Sequence, residues 1–268
     1  MDGLPGGTPW TLRHVEHDGH VGLLLKTLDD LGIANDTIVV YTTDNGPHMN
    51  SWPDAAMTLF RSEKNTNWEG AFRVPAMVRW PGHIKPGEVS NDLVSGLDWF
   101  PTLLAAAGDD TIKDRLLKGA SIGGRSYKNH LDGYNILPYL TGQEQKSPRG
   151  EFFYFNDDGQ LVAVRIGVMK QVFCEQREAG TLEIWGNPFT CMRMPKMFNL
   201  RMDPYERADI TSNTYWDWVL RHAFLAVPTQ DVVGKFIMTF KDYPPRQRPS
   251  SFSVDQIMES LQRATVAQ

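Results

Sequence analysis

The chain has few cysteines, no basic block and no long apolar run, and each shortage removes a class of protein. Its 268 residues contain two cysteines, Cys174 and Cys191. They are too few and too widely spaced for a zinc motif or a disulfide framework. Buried free thiols are the default expectation, and a single bridge is the alternative. No apolar run reaches the roughly 18 residues that span a bilayer as a helix, and Met1 to Gly7 has neither the basic nor the apolar part of a signal peptide. As written, the chain is expected in the cytoplasm, while a longer parent would suit the periplasm or secretion. Twenty-seven Lys and Arg stand against 32 Asp and Glu, a net charge of −5, and no tract gathers the basic residues. Tracking a phosphate backbone needs such a tract, so nucleic acid is not an expected partner. A hydrophobic content of 41% is ordinary for a chain with a packed core.

What is present concentrates between Thr37 and Pro81. Ile38, Val39, Val40 and Tyr41 form a short apolar, β-branched run between turn formers, the pattern of a strand covered on both faces in a parallel α/β sheet. Asp44-Asn45-Gly46-Pro47 stops it. Ligands collect outside the carboxyl ends of strands in open α/β sheets, which puts Asp44 and Asn45 where a site is expected. A carboxylate beside an amide carbonyl offers hard oxygen donors that suit Ca²⁺ or Mg²⁺. The same tetrapeptide is also an ordinary turn, with Asn and Gly tolerating positive φ and Pro setting the exit. Taken alone, it leaves both readings open.

The wider pattern is more specific. After Asp44-Asn45-Gly46-Pro47 come Lys64-Asn65-Thr66-Asn67-Trp68-Glu69-Gly70, then Arg73-Val74-Pro75 and Trp80-Pro81-Gly82. In this order and spacing the motifs resemble the second half of the sulfatase family, arylsulfatase type, within the alkaline phosphatase superfamily. The pattern departs at Ala71, where many relatives have a second glycine. The resemblance implies an alkaline-phosphatase-like α/β fold, with part of a mixed or parallel sheet flanked by helices, then a small antiparallel-sheet C-terminal subdomain with helices. It further implies a small-molecule sulfate ester as substrate, Ca²⁺ (Mg²⁺ fitting less well) on Asp44 and Asn45, and Lys64 as a catalytic residue that contacts the sulfate.

The chemistry agrees with those roles. Sulfuryl transfer, like phosphoryl transfer, spreads charge over peripheral oxygens, so it is served by positioned cations such as an ammonium and a divalent ion. Without the surrounding motifs Lys64 reads as a solvated loop lysine beside Glu63. His48, just past the metal pair, reads as a substrate contact or as a residue closing the turn.

In chain order, Thr8-Pro9 is a helix start, with a hydroxyl cap before a proline at the first helical position. Val15, Val21, Leu24, Leu25, Leu28 and Leu31 then recur at helical spacing up to Gly32, predicting a helix packed on the sheet. His14, His17 and His20 on that helix, with Asp18, read as a polar face rather than a metal cluster. Ala76 to Trp80 is a second strand, and Leu93 to Ala107 is a core helix with Leu97, Phe100, Leu103, Leu104 and Ala107 on one face. Asp109 to Gly150 reads as a surface crossing around a short apolar Tyr134 to Leu140 segment. A domain boundary is expected near Ser147-Pro148, giving 1–147 as the α/β part and 148–268 as a small α+β subdomain. Glu151 to Asn156, Leu161 to Ile166 and Val168 to Glu175 predict antiparallel hairpins. Phe198-Asn199-Leu200 resembles the last strand of the sulfatase subdomain. Trp216 to Val227 and Val254 to Ala264, the latter capped by Ser253, read as helices.

One part of the chemistry is missing. Sulfatases use a formylglycine nucleophile made from the first residue of Cys-x-Pro-x-Arg or Ser-x-Pro-x-Arg, and neither motif occurs here. Cys174 precedes Glu175-Gln176-Arg177, Cys191 precedes Met192-Arg193-Met194, and Ser51-Trp52-Pro53-Asp54-Ala55 lacks the arginine. Two metal ligands also fall short of the roughly six to eight oxygens Ca²⁺ prefers. The chain therefore reads as the C-terminal portion of a sulfatase carrying part of a site that a missing N-terminal segment or chain would complete. A phosphonate or phosphate ester hydrolase of the same superfamily would use the same cations. The reading from a different class is a non-enzymatic fold or partner-binding module.

Overall fold

The computed structural model describes residues 9–51, 57–178 and 180–245. Helix α1 (Pro9–Asp30) runs 22 residues. Gly32 follows with φ +68°, the left-handed conformation that lets the chain leave a helix. Strand β1 (Val39–Thr42) leads to the Asp44–Pro47 turn, and the short helix α2 (Glu69–Phe72) leads to β2 (Ala76–Arg79). β1 and β2 pair antiparallel, Val39 opposite Arg79 and Thr42 opposite Ala76. The local expectation at Ile38–Tyr41 is corrected here: the described partner is antiparallel, and Tyr41 and Thr42 are exposed rather than covered on both faces. α1 is corrected in part. Val21, Leu25 and Leu28 are half-buried, but Val15, Leu24 and Leu31 face solvent, and α1 also meets the strand pair through polar contacts. His17 shares a 3.0 Å hydrogen bond with the Tyr41 hydroxyl, and Arg79 donates to Asp29 at 2.9 Å.

The expected core helix at Leu93–Ala107 is shorter. A 3₁₀ turn at Gly96–Asp98, closed by a reciprocal Ser95/Asp98 capping box, precedes α3 (Trp99–Ala106). Its buried residues are Pro101 and Thr102, while Leu97, Phe100 and Leu103 are exposed, so the predicted apolar face is not the packed one. The presumed surface crossing holds regular structure: α4 (Ile112–Lys118), the hairpin β3 (Ala120–Ile122) with β4 (Arg125–Tyr127), and α5 (Leu137–Leu140). Ile112, Leu116 and Ile136 are buried there, which short-range composition did not reveal. The Asp98 carboxylate, fully buried, receives the Arg149 guanidinium at 2.6 Å and the Tyr134 N–H at 2.7 Å.

The remainder is built on a four-stranded antiparallel sheet in the order β5 (Glu151–Phe155), β6 (Leu161–Ile166), β7 (Met169–Glu175), β8 (Thr190–Asn199). Between β7 and β8 lies α6 (Glu183–Gly186), and after β8 come α7 (Ala208–Thr211), α8 (Tyr215–Arg221) and α9 (Ala226–Asp242). The predicted hairpins are all present. β8 is longer than the motif at Phe198 suggested. Pro195 is tolerated in it because β8 is an edge strand, where a missing N–H costs no ladder bond. The expected single helix at Trp216–Val227 is instead two, broken at His222, and Pro228 sits in the first turn of α9, where its missing N–H is harmless. The predicted helix at Val254–Ala264, with its Ser253 cap, lies outside the described residues.

Strand alternation divides this sheet into two working faces. Phe153 and Gln171 face α9: Phe153 stacks on Phe236 with centroids 3.9 Å apart, and Gln171 donates to the Thr229 hydroxyl at 2.7 Å. Tyr154, Lys170, Val172 and Phe198 lie on the other face, in a buried cluster or beside it with Trp68, Tyr215 and Val219. The segment that carries Lys64 is thus laid onto the second face.

The free-thiol expectation is overturned, because Cys174 and Cys191 form a disulfide. Antiparallel pairing sets Cys174 of β7 directly opposite Cys191 of β8, a proximity that a sequence separation of 17 hides. The native protein should therefore show no titratable thiol and release two after denaturation and reduction. Replacing both cysteines with alanine should lower the unfolding free energy by about 3 kcal/mol in urea melts. Two reactive thiols in the unreduced, denatured chain would restore the original reading.

Candidate functional site

The Asp44–Pro47 turn and the Arg61–Ala71 segment are lashed together by backbone hydrogen bonds. Gly46 N–H donates to Ala71 O at 2.7 Å, Lys64 N–H to Pro47 O at 2.9 Å, and Gly70 N–H to Arg61 O at 2.8 Å. Such contact requires backbone without side chains. A Cβ on Gly46 would lie 1.7 Å from Gly70 O, and one on Gly70 would lie 2.3 Å from the carbonyls of Arg61 and Ser62. Asp44, Asn45, His48 and Lys64 are brought to one locality by these lashings.

Asp44 is exposed, with the Thr43 hydroxyl 3.3 Å from its Oδ1. Asn45 donates from Nδ2 to Gly46 O at 2.9 Å, which leaves its Oδ1 as an acceptor. Lys64 is half-buried; its ammonium lies 5.8 Å from the Trp185 ring centre and makes no hydrogen bond or ion pair among the described residues. Ser62 and Asn65 on either side both hold positive φ, 63° and 69°. Left-handed non-glycine residues persist only where the surroundings enforce them. His48 sits with Nε2 3.9 Å from Glu63 and without a hydrogen-bond partner. Fully buried Glu63 accepts from the Met49 N–H and, at 2.9 Å, from the Thr181 N–H, so it ties the two loops around Lys64 to the α6 loop.

Beneath this lies an ionic cluster that the sequence reading did not anticipate. The Lys170 ammonium, with no solvent exposure, is ion-paired with Glu206 at 2.7 Å and donates to Asn67 O at 2.8 Å and to Glu69 at 3.2 Å. Glu206 accepts the Glu69 N–H at 2.6 Å, and the Tyr154 hydroxyl donates to Glu69 at 2.8 Å. Burial by itself would push the Glu69 carboxyl up, but Lys170, the Tyr154 hydroxyl and Arg165 together hold it below its ordinary value. For Glu206 burial prevails and, aided by the Glu69 charge, pushes the carboxyl up against the pull of Lys170. Burial and the Glu69 charge likewise raise the Tyr154 hydroxyl. The legible signal was a lysine inside the apolar strand Met169–Glu175, facing the same side as Val172.

Among the described residues, no group of His, Cys, Asp or Glu is large enough to form a metal site on its own. Asp44 and Asn45 offer two hard oxygens, and the imidazoles His14, His17 and His20 lie on α1.

A family model described as Sulfatase matches residues 12–109. The chain is 34% identical to human arylsulfatase A over 217 residues, which cover 76% of this chain and 39% of that protein. It is 35% identical to mouse steryl-sulfatase over 156 residues, covering 56% of this chain and 23% of the relative. Among solved structures it resembles the PsFucS1 sulfatase from Pseudoalteromonas sp., with TM-score 0.73 and 27% identity over 91% of this chain and 45% of that one. The chain thus spans less than half the length of these relatives.

Two predictions follow from the packing. Gly46→Ala, which drives a methyl into Gly70 O, should cost several kcal/mol in urea melts, about 3 or more, whereas Gly82→Ala, with open space, should cost about 1. Lys170→Met should cost about 3–5 kcal/mol at pH 7, because it strands two buried carboxylates. In the wild type Lys170 lowers both carboxyls; without it Glu206, already raised, rises further, and Glu69 loses the largest influence that holds it down against burial. Stability from a raised group is present below the unfolded value and lost as pH rises through the folded one. The deficit of Lys170→Met should therefore shrink between pH 7 and pH 5. A deficit independent of pH would mean the carboxylates are not what the lysine supports.

Proposed function

The chain belongs to the sulfatase family, and from that premise we propose that Lys64, Asp44 and Asn45 are its share of a site that hydrolyses sulfate esters, Lys64 as catalytic and sulfate-binding residue. The observation that carries this reading is the state of Lys64: a half-buried ammonium without a carboxylate partner among the described residues, held between two left-handed residues and tied by its own N–H to the Asp44–Pro47 turn. A cation kept in place and left unneutralised is what a tetrahedral sulfate ester anion requires, since the field is already aimed when charge develops. His48, its buried Nε2 3.9 Å from Glu63, would be a further contact to the ester.

The donor set fits a divalent cation in part. Asp44, exposed, and Asn45, half-buried, are consecutive in the turn and carry hard oxygens, so they would hold Ca²⁺ (or, less well, Mg²⁺) as two of its ligands. Such an ion, when bound, would add positive charge against the peripheral sulfuryl oxygens. Formylglycine does not fit any residue here: the generating motif is absent, and both cysteines are consumed by the disulfide. A nucleophile from another segment or chain is therefore part of this proposal. The disulfide also supports the periplasmic or secreted setting over the cytoplasm, because reducing compartments do not maintain such bridges.

In a form supplied with the nucleophile-bearing segment in trans, Lys64→Ala should keep the fold and lower aryl sulfate turnover by about a hundredfold or more. Asp44→Ala should lower bound Ca²⁺ by elemental analysis, while residues 1–268 alone should bind inorganic sulfate through Lys64 but not hydrolyse an ester. Hydrolysis by the isolated chain, or full turnover by Lys64→Ala, would overturn this assignment.

A further inference from the structure

The loop closed by the Cys174–Cys191 disulfide stands against the face of the turn that carries Lys64. Its contact is close. Thr181 N–H donates to Glu63 at 2.9 Å, and a Cβ on Gly180 would lie 2.5 Å from Met49 Sδ and 2.6 Å from Glu63 Oε1. Thr181 itself holds φ +67°, an outlying conformation for a β-branched residue, so the loop is forced into this position rather than merely resting there. Gln176 fixes its interior, donating from Nε2 to Ile184 O at 3.0 Å and Asn187 O at 2.9 Å, and Ile184 is buried beneath. The next residue, Trp185, is turned outward and 55% exposed. Many large apolar residues of this protein are exposed singly, which needs no explanation. Trp185 differs in its neighbours: its ring centre is 5.8 Å from the Lys64 ammonium and 6.3 Å, edge-on, from the His48 ring.

We propose that Trp185 is a specificity-determining residue, the wall against which the organic group of the ester lies while the sulfate is held at Lys64. This rests on the sulfate-site reading above and names the residue of this chain that meets the organic part of the ester, the flat ring face, aryl or pyranose, against which an indole stacks. A sulfate oxygen accepting from Nζ at about 2.8 Å leaves the first ring of the ester beside the indole, within the range of aromatic stacking. A disulfide at the base of the loop keeps that wall from swinging away, and the strained Thr181 keeps it directed at Lys64.

The test titrates the 268-residue chain, its fold checked by amide NMR spectra, with methyl sulfate, 4-nitrophenyl sulfate and glucose 6-sulfate. The Trp185 indole N–H is identified by its absence in Trp185→Ala. Wild type should bind a ring-bearing ester more tightly than methyl sulfate. Trp185→Ala should weaken that ester about fivefold and leave methyl sulfate unchanged, and Trp185→Phe should keep most of the preference. The two ring esters decide between an aryl and a sugar group. No ring preference in wild type, equal weakening of methyl sulfate by Trp185→Ala, or full loss in Trp185→Phe would overturn the role of Trp185. Methyl sulfate binding indifferent to Lys64→Ala would instead remove the anion-site reading, whatever the ring esters show.

Discussion

The buried ammonium of Lys170 is the interaction on which the candidate site depends. It projects from the inner face of β7 and is met by two carboxylates, Glu69 and Glu206, and the carbonyl of Asn67. An ammonium removed from water is tolerated only with such partners, and the partners need it equally. Its effect is geometric: it pulls Asn67–Glu69 onto the sheet, and Asn67 Nδ2 adds a 2.7 Å bond to Cys174 O of the same strand. Arg61, stacked 3.6 Å over Trp68 and paired with Asp209 at 2.9 Å, anchors the start of the segment. Lys64 lies between these two anchorages, which is why a loop lysine can hold a direction.

The same segment is fastened a second time, to the turn after β1, by backbone contacts that exclude side chains at Gly46 and Gly70. The candidate site therefore lies where the β1–β2 pair meets the four-stranded sheet, Asp44 and Asn45 following the first and Lys64 in the segment fastened to the second. Two fastenings of different chemistry hold it: charge inside and hydrogen-bonded backbone above. Movement of either would change the spacing between Lys64 and the Asp44–Asn45 pair.

A third component comes from the excursion between β7 and β8. Its ends are joined by the disulfide, and its middle brings the Thr181 N–H to Glu63 and Trp185 to Lys64. β7 thus supports the site from both ends, with Lys170 under the loop near its beginning and Cys174 beside it near its end. Glu63 connects all three parts, since one buried carboxylate accepts from the 48–50 turn and from the α6 loop.

Sequence alone determined what depends on near neighbours. The strands of the hairpins at Glu151–Glu175, the glycine end of α1 and the turn at Asp44–Pro47 follow from alternation, helical spacing and the φ preferences of Gly, Asn and Pro, all expressed within a few residues. The order Asp44-Asn45, Lys64, Trp68-Glu69-Gly70 also carried the family resemblance and with it the α/β fold. Tertiary structure decided what depends on distant chain. Cys174 meets Cys191 only because antiparallel register sets them opposite each other. The run at Ile38–Tyr41 looks doubly covered by composition, yet one antiparallel neighbour leaves its end exposed. Lys170 reads as an interruption in an apolar strand until Glu69 and Glu206, 101 residues before it in one case, close around it. Trp185 was one aromatic among many until its loop was pinned against Lys64. Local conformational preference is written in a few adjacent residues, whereas burial, charge pairing and register are properties of surfaces that exist only once the chain has folded.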